Sequence, residues 1–136
     1  MKQYLVSDVM TPKEKIVMIS PYARVRELLR LMREKHVKSV IVDRMGPHDA
    51  YGIVTHSNIL EGIFTNDGDM DLVNVYDIAT KPLIQVVGPM DIKYASQLMV
   101  RQKVTRLAVT WEGDIVGLVT MSDIMRVLMQ EAVEGE

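Results

Sequence analysis

Residues 117–123 read Gly117-Leu118-Val119-Thr120-Met121-Ser122-Asp123. Leu118 and Val119 have the character of a buried strand end. Ile124, Val127 and Leu128 form the apolar face of a helix that begins just after Thr120. Thr120 and Asp123 fall at the junction, where the first N–H groups of a helix have no intrahelical partners. Nearly the same stretch occurs earlier as Gly52-Ile53-Val54-Thr55-His56-Ser57-Asn58, followed by Ile59, Leu60 and Ile63. A strand–turn–helix passage written twice in similar surroundings is an internal repeat, and a repeat sets the fold class before local propensity is weighed.

Working outward, the two halves align along most of their length. Asp8-Val9-Met10-Thr11 matches Asp77-Ile78-Ala79-Thr80, and Pro21 matches Pro89. Val25, Leu31, Met32, Val37 and Val40 match Ile92, Leu98, Met99, Val104 and Leu107. The segment from Val42 to Gly52 is longer than Val109 to Gly117. Its extra residues fall in the Gly-Pro turn between Asp43 and Ala50, where length changes are tolerated. Each half opens with a short apolar strand, at Ile16–Ile19 or Leu83–Val87, and a turn marked by Pro21 or Pro89. An amphipathic helix follows, with Val25, Leu28, Leu29 and Met32 at helical spacing in one half and Ile92, Ala95 and Met99 in the other. Then come an apolar run (Val40–Val42 or Leu107–Val109), a turn (Glu112, Gly113 and Asp114 in the second half) and a second strand (Ile53–Val54 or Ile115–Val119). The closing helix completes the order β-α-β-β-α, which occurs twice. The expectation is therefore an α/β (α+β) chain with repeat 1 over residues 1–66, a linker over 67–72 and repeat 2 over 73–136. In that linker Asp67, Asp69 and Asp71 alternate as at the start of a calcium loop. However, Leu72 and Ile78 occupy the positions where such a loop needs Gly and Glu, so the stretch reads as solvated connection.

Composition narrows the function. The 136 residues are 48% hydrophobic and 25% charged, with a formal net charge of −2, so no general basic field for nucleic acid exists. The absence of cysteine removes disulfides, thiolate metal sites and a cysteine nucleophile, and suits a reducing cytoplasm. No apolar run approaches the ~20 residues that span a bilayer, and the apolar run near the start is too short for a signal peptide. His36, His48 and His56 lack metal-ligand spacing. Eleven methionines against one Phe and one Trp favour adaptable packing surfaces; Met121, Met125 and Met129 form a stripe suited to helix packing or a subunit interface.

At the two junctions the residue chemistry supports two compatible roles. A carboxylate such as Asp123 accepts hydrogen bonds from both hydroxyls of a ribose. Thr120 adds a hydroxyl, and the positive end of the helix favours an anion. The same Thr-x-x-Asp spacing is close to a capping box, which would satisfy the orphan N–H groups of the helix. Asn58 retains one acceptor without charge and adds donors, so its hold on a ribose is weaker.

Taken in order, these motifs resemble the tandem cystathionine-beta-synthase-type (CBS) domain pair, or Bateman module, from about Val6 to Leu128. The most specific part is apolar-Gly-apolar-apolar-Thr-x-x-Asp, complete at Gly117–Asp123 and present with Asn58 in the first half. Asp8–Thr11 and the Val-x-Arg-Leu-x-Val run at Val104–Val109 support it. Departures are Ala108, where the family often has proline, and Ala79 with Lys81 against Met10 with Pro12. The resemblance implies two repeats packed by pseudo-twofold symmetry, inter-repeat clefts that hold AMP, ADP, ATP or S-adenosylmethionine, and pairing into a homodimer. Each cleft would combine the signature of one repeat with early segments of the other. Thr120 and Asp123 would join Thr11, Lys13, Ile16, Val37, Lys38 and Ser39. Thr55 and Asn58 would join Thr80, Lys81, Ile84, Val104, Thr105 and Arg106. Apolar members would flank adenine, while Lys13, Lys38 and Arg106 would meet phosphate.

The implied function is non-catalytic regulation, of the energy-sensing kind, through an unknown partner protein. It requires no cofactor and involves neither nucleic acid nor membrane. The alternative is a structural dimerisation or inhibitor module without a physiological nucleotide. Enzymatic action on nucleotides lacks a phosphate-binding loop, a nucleophile motif or a metal cluster to support it.

Overall fold

The computed structural model describes residues 2–135. It divides into two compact units, one made of Met1–Ile16 with Ile84–Glu136 and the other of Val17–Leu83. Both are mixed α/β, and the element order follows the repeat.

In the first unit a four-residue helix α1 (Val6–Val9) leads into β1 (Thr11–Pro12) and a 3₁₀ turn at Lys13–Lys15. The chain re-enters with β5 (Gln85–Val87), α5 (Ile92–Gln102), β6 (Arg106–Trp111), β7 (Asp114–Thr120) and α6 (Met121–Glu134). The sheet order is β1-β7-β6-β5, with β5 parallel to β6 and the other pairs antiparallel. Glu112 and Gly113, with φ of 52° and 85°, connect the paired residues Trp111 and Asp114, the pattern of a type I′ hairpin turn. Val6, Val86, Ile92, Ala95, Met99, Leu107, Val109, Val119 and Ile124 form the core. Helix α5 reaches that core through the 92, 95 and 99 spacing read from the sequence; the Asp91 side chain accepts from the Lys93 N–H at 2.8 Å and caps it.

The second unit contains β2 (Met18–Ile19), α2 (Val25–Lys35), β3 (Ser39–Val42), β4 (Gly52–Thr55), α3 (His56–Thr65) and a short helix α4 (Val75–Ile78). Its sheet is β2-β3-β4. Val25, Leu28 and Met32 turn the buried face of α2 towards Val40, Val42, Val54 and Ile59. Residues 67–72 are tied down: Arg26 grips Asp71 with two bonds of 2.8 and 2.9 Å. His36 and Lys103 end α2 and α5 in the left-handed conformation, at matching places in the two repeats.

Two short helices have no periodic signal in the sequence. Helix α1 anchors by donating from Val6 N–H to Met90 C=O (2.7 Å), and α4 from Val75 N–H to Ala23 C=O (2.8 Å). Each lead-in segment thus packs on elements of the other sequence repeat, with Val6 and Val75 wholly buried. A second difference concerns α6. Ile124 is buried and Val127 half-buried, but Leu128 is 40% exposed and faces out with Met121, Met125 and Met129. Among the described residues, no helix is long and apolar enough to cross a membrane.

Candidate ligand site at the repeated strand–helix turn

The signature glycines admit the lead-in strands. Thr11 pairs with Leu118 and Pro12 with Gly117. A Cβ on Gly117 would lie 2.7 Å from the Thr11 carbonyl oxygen and 2.5 Å from Met10 Sδ, so only glycine lets β1 lie against β7. In the other unit Thr80 exchanges backbone bonds of 2.9 and 3.0 Å with Ile53, the residue equivalent to Leu118. There a Cβ on Gly52 would be 3.2 Å from the Thr80 carbonyl oxygen.

At the turn after β7, the Thr120 backbone N–H donates to Asp123 Oδ2 at 2.8 Å, and the Asp123 N–H donates to Thr120 Oγ1 at 3.1 Å. This is the reciprocal capping box expected from the spacing. Asp123 Oδ1 lies outside that box, and Arg126, one turn along α6, donates to it at 3.2 Å. Asp123 is buried and Arg126 exposed. Alongside, Arg106 on β6 is the register partner of Thr120, and the Met121 N–H donates to the Thr105 carbonyl at 2.8 Å. Thr105, Arg106, Thr120, Ser122, Arg126 and the outward methionines of α6 line an open groove of about 700 Å³. The groove is therefore lined by three hydroxyls and two guanidinium groups, one of which, Arg126, holds the buried carboxylate of Asp123.

The Asn58 turn is closed differently. Its Oδ1 accepts the Thr55 N–H (2.9 Å) and the Thr55 hydroxyl (3.0 Å), while its Nδ2 donates to Thr80 Oγ1 at 3.1 Å. Both ends of the amide are thus used within the protein. Lys81 is also engaged, donating to Asp49 Oδ2 at 2.6 Å. With the Met45 N–H as a further donor, that contact holds the Asp49 carboxyl at about 2.

The structure gathers Thr11, Lys13, Ile16, Ile84, Val104, Thr105 and Arg106 into the same unit as Thr120 and Asp123. Val37, Lys38, Ser39, Thr80 and Lys81 share the other unit with Thr55 and Asn58. Ser39 is the register partner of Thr55, as Arg106 is of Thr120. Val37 packs on the core of its unit, and Ile84 and Val104 on the core of theirs. Lys13 and Lys38 are exposed, and Ile16 is half-buried. Arg126 is absent from the sequence-derived candidates; its signal was the one-turn spacing from Asp123, which places two i,i+3 residues on one helix face. Among the described residues, no group of three or more His, Cys, Asp or Glu side chains is arranged to hold a metal ion.

Comparison with known proteins shows matches to the CBS domain at residues 6–65 and 75–130. An uncharacterized protein of Methanopyrus kandleri is 30% identical over 109 residues, covering 79% of this chain and 55% of that protein. An inosine-5'-monophosphate dehydrogenase of Korarchaeum cryptofilum is 33% identical over 126 residues, covering 90% of this chain but only 23% of the dehydrogenase. The chain thus spans about half of the first relative and under a quarter of the second. Among solved structures, the CBS domain of a bacterial CNNM/CorC family Mg2+ transporter in complex with ATP superposes with a TM-score of 0.77 at 30% identity, covering 90% of this chain and 84% of that one.

Proposed function

The chain belongs to the CBS domain family, and on that premise we propose that it is a non-catalytic regulatory module that binds an adenosine-containing ligand at the Thr120 turn and signals to another protein. The observation that carries this reading is the state of Asp123. Its carboxylate is buried and fixed by the capping box through one oxygen, while the other is held by Arg126, which with Arg106 lines an open groove. A ribose diol needs such an acceptor, and a phosphate needs such guanidiniums. The ATP-bound CBS domain of the CNNM/CorC transporter, at 30% identity over most of both chains, supports the nucleotide class.

A ligand touching both Thr120 and Thr11 contacts segments contributed by the two sequence repeats. Its binding energy favours the state in which β1 is docked on β7, and a partner that distinguishes that state reads the ligand. The Asn58 turn, with its uncharged amide oxygen taken by two bonds from Thr55 and one amide N–H by Thr80, is the weaker site. The outward stripe Met121, Met125, Leu128, Met129 and Val133, all between 37% and 68% exposed, supports pairing of two copies into a homodimer.

A thermal-shift screen over AMP, ADP, ATP, NAD and S-adenosylmethionine tests the reading. A ligand at a hundred times its Kd stabilises the folded state by about 2.7 kcal/mol, so a true ligand at millimolar concentration raises Tm by several degrees. A Tm indifferent to all five at millimolar concentration would refute it and favour a dimerisation module without nucleotide.

A further inference from the structure

We propose that Arg126 is a specificity-determining residue that makes the Thr120 site select phosphorylated nucleosides over neutral ones, an inference that rests on the nucleotide reading above.

Three observations carry it. First, Asp123 Oδ1 is the oxygen that the capping box leaves out, because the Thr120 N–H donates to Oδ2 at 2.8 Å. Second, that remaining oxygen is held by Arg126 through one nitrogen at 3.2 Å, with the Asp123 side chain 9% exposed and the Arg126 side chain 70% exposed. A guanidinium has five donors in a planar fork, and one-point contact from a solvated position leaves most of them unused and the pair easily exchanged. Third, the same groove carries a second guanidinium, Arg106, which donates to Thr105 Oγ1 at 3.0 Å and has no carboxylate within ion-pair distance among the described residues. Two cations therefore line one groove, beside the buried carboxylate that Arg126 holds. The surplus charge of this group is positive, and Ser122 and Thr105 add hydroxyl donors to the same groove.

The consequence follows from exchange. A diol that takes Asp123 Oδ1 competes with Arg126 for that oxygen and weakens its hold. A neutral nucleoside gives the guanidinium nothing in return, so a charge-assisted bond is weakened. A nucleotide brings its own anion, and Arg126 trades the carboxylate for a phosphate oxygen of comparable or better geometry. The same residue thus disfavours the neutral ligand and favours the charged one, which is how a site discriminates by opposing as well as attracting.

Isothermal titration of the full chain with adenosine and with AMP, at one fixed salt concentration, tests this in the parent, Arg126→Gln and Arg126→Lys. The expected result for Arg126→Gln is AMP binding weakened about tenfold, with adenosine binding unchanged or tightened. Arg126→Lys should fall between, as a point charge without the fork. Because the side chain is exposed, both variants should melt close to the parent, and a melt of each checks that they fold. Equal weakening of both ligands would overturn the proposal and leave Arg126 as a support for Asp123 alone, as would AMP binding that ignores the substitution. A parent that binds neither AMP nor adenosine overturns this proposal, and the five-ligand thermal-shift screen then decides separately whether the nucleotide reading stands. A parent that binds both, with a preference insensitive to position 126, defeats this proposal only.

Discussion

Replacing Asp123 by alanine and by asparagine separates its two roles. Alanine removes the acceptor for the Thr120 N–H, which is 2.8 Å from Oδ2, and the partner of Arg126. Leaving the part-buried Thr120 N–H without a partner costs about 1 kcal/mol, and losing the contact with Arg126 about 0.5 kcal/mol more. Asp123→Ala should therefore destabilise the chain by about 1.5 kcal/mol, lowering Tm by roughly 6 °C for a chain of this size. Asparagine keeps an amide oxygen for the Thr120 N–H, as Asn58 does for the Thr55 N–H at 2.9 Å. It gives up only the contact with the exposed Arg126, worth about 0.5 kcal/mol, so Tm should fall by only about 2 °C. Binding should order the variants differently. Charge-assisted bonds to ribose hydroxyls contribute about 1.5–3 kcal/mol against about 1 for neutral ones, so Asp123→Asn should weaken AMP about tenfold while remaining folded. Calorimetric titration with AMP beside a thermal melt reads both quantities. If Asp123→Asn binds AMP like the parent, Asp123 is a cap and the ribose assignment is wrong. If it melts as low as Asp123→Ala, the account of the cap is wrong.

The glycines give a graded prediction. Gly117→Ala forces a methyl against the Thr11 carbonyl and Met10 and should cost about 2–3 kcal/mol in urea denaturation, whereas Gly52→Ala, with its nearest atoms at 3.1 and 3.2 Å, should cost under about 1 kcal/mol; equal costs would mean that β1 does not lie on β7 as described. The Lys81–Asp49 pair predicts a pH dependence. Asp49 is held at about 2 against an ordinary 3.8, so its stabilisation is complete above about pH 4 and lost as pH falls through 2. Asp49→Asn should melt below the parent by the same margin at pH 7 and pH 5, and the margin should shrink between pH 4 and pH 2; a margin that grows on acidification contradicts the assignment. Met125→Glu with Met129→Glu, both on the outward stripe of α6, should convert a homodimer to a monomer by light scattering, and a parent already monomeric at micromolar concentration removes the basis for that pairing.

The repeat, its β-α-β-β-α order and the buried faces of α2 and α5 were legible in the sequence. Each rests on local periodicity: Val25, Leu28 and Met32, or Ile92, Ala95 and Met99, declare a helix face whatever else the chain does. The capping box was legible for the same reason, since Thr120 and Asp123 are close in sequence and the bonds between them are local. Helices α1 and α4 were not, because four residues contain too little period to read and gain their stability from docking on Met90 and Ala23, far away along the chain. The outward turn of Leu128 was likewise hidden, because helical spacing gives an apolar arc but not where the covering layer ends. Only tertiary structure showed that Asn58 donates to Thr80 and that Lys81 is already paired with Asp49; the Arg126–Asp123 contact is local, and its i,i+3 spacing was there to be read. Residue types and spacing determine which groups can bind; the partners those groups have already taken are set by how distant segments meet.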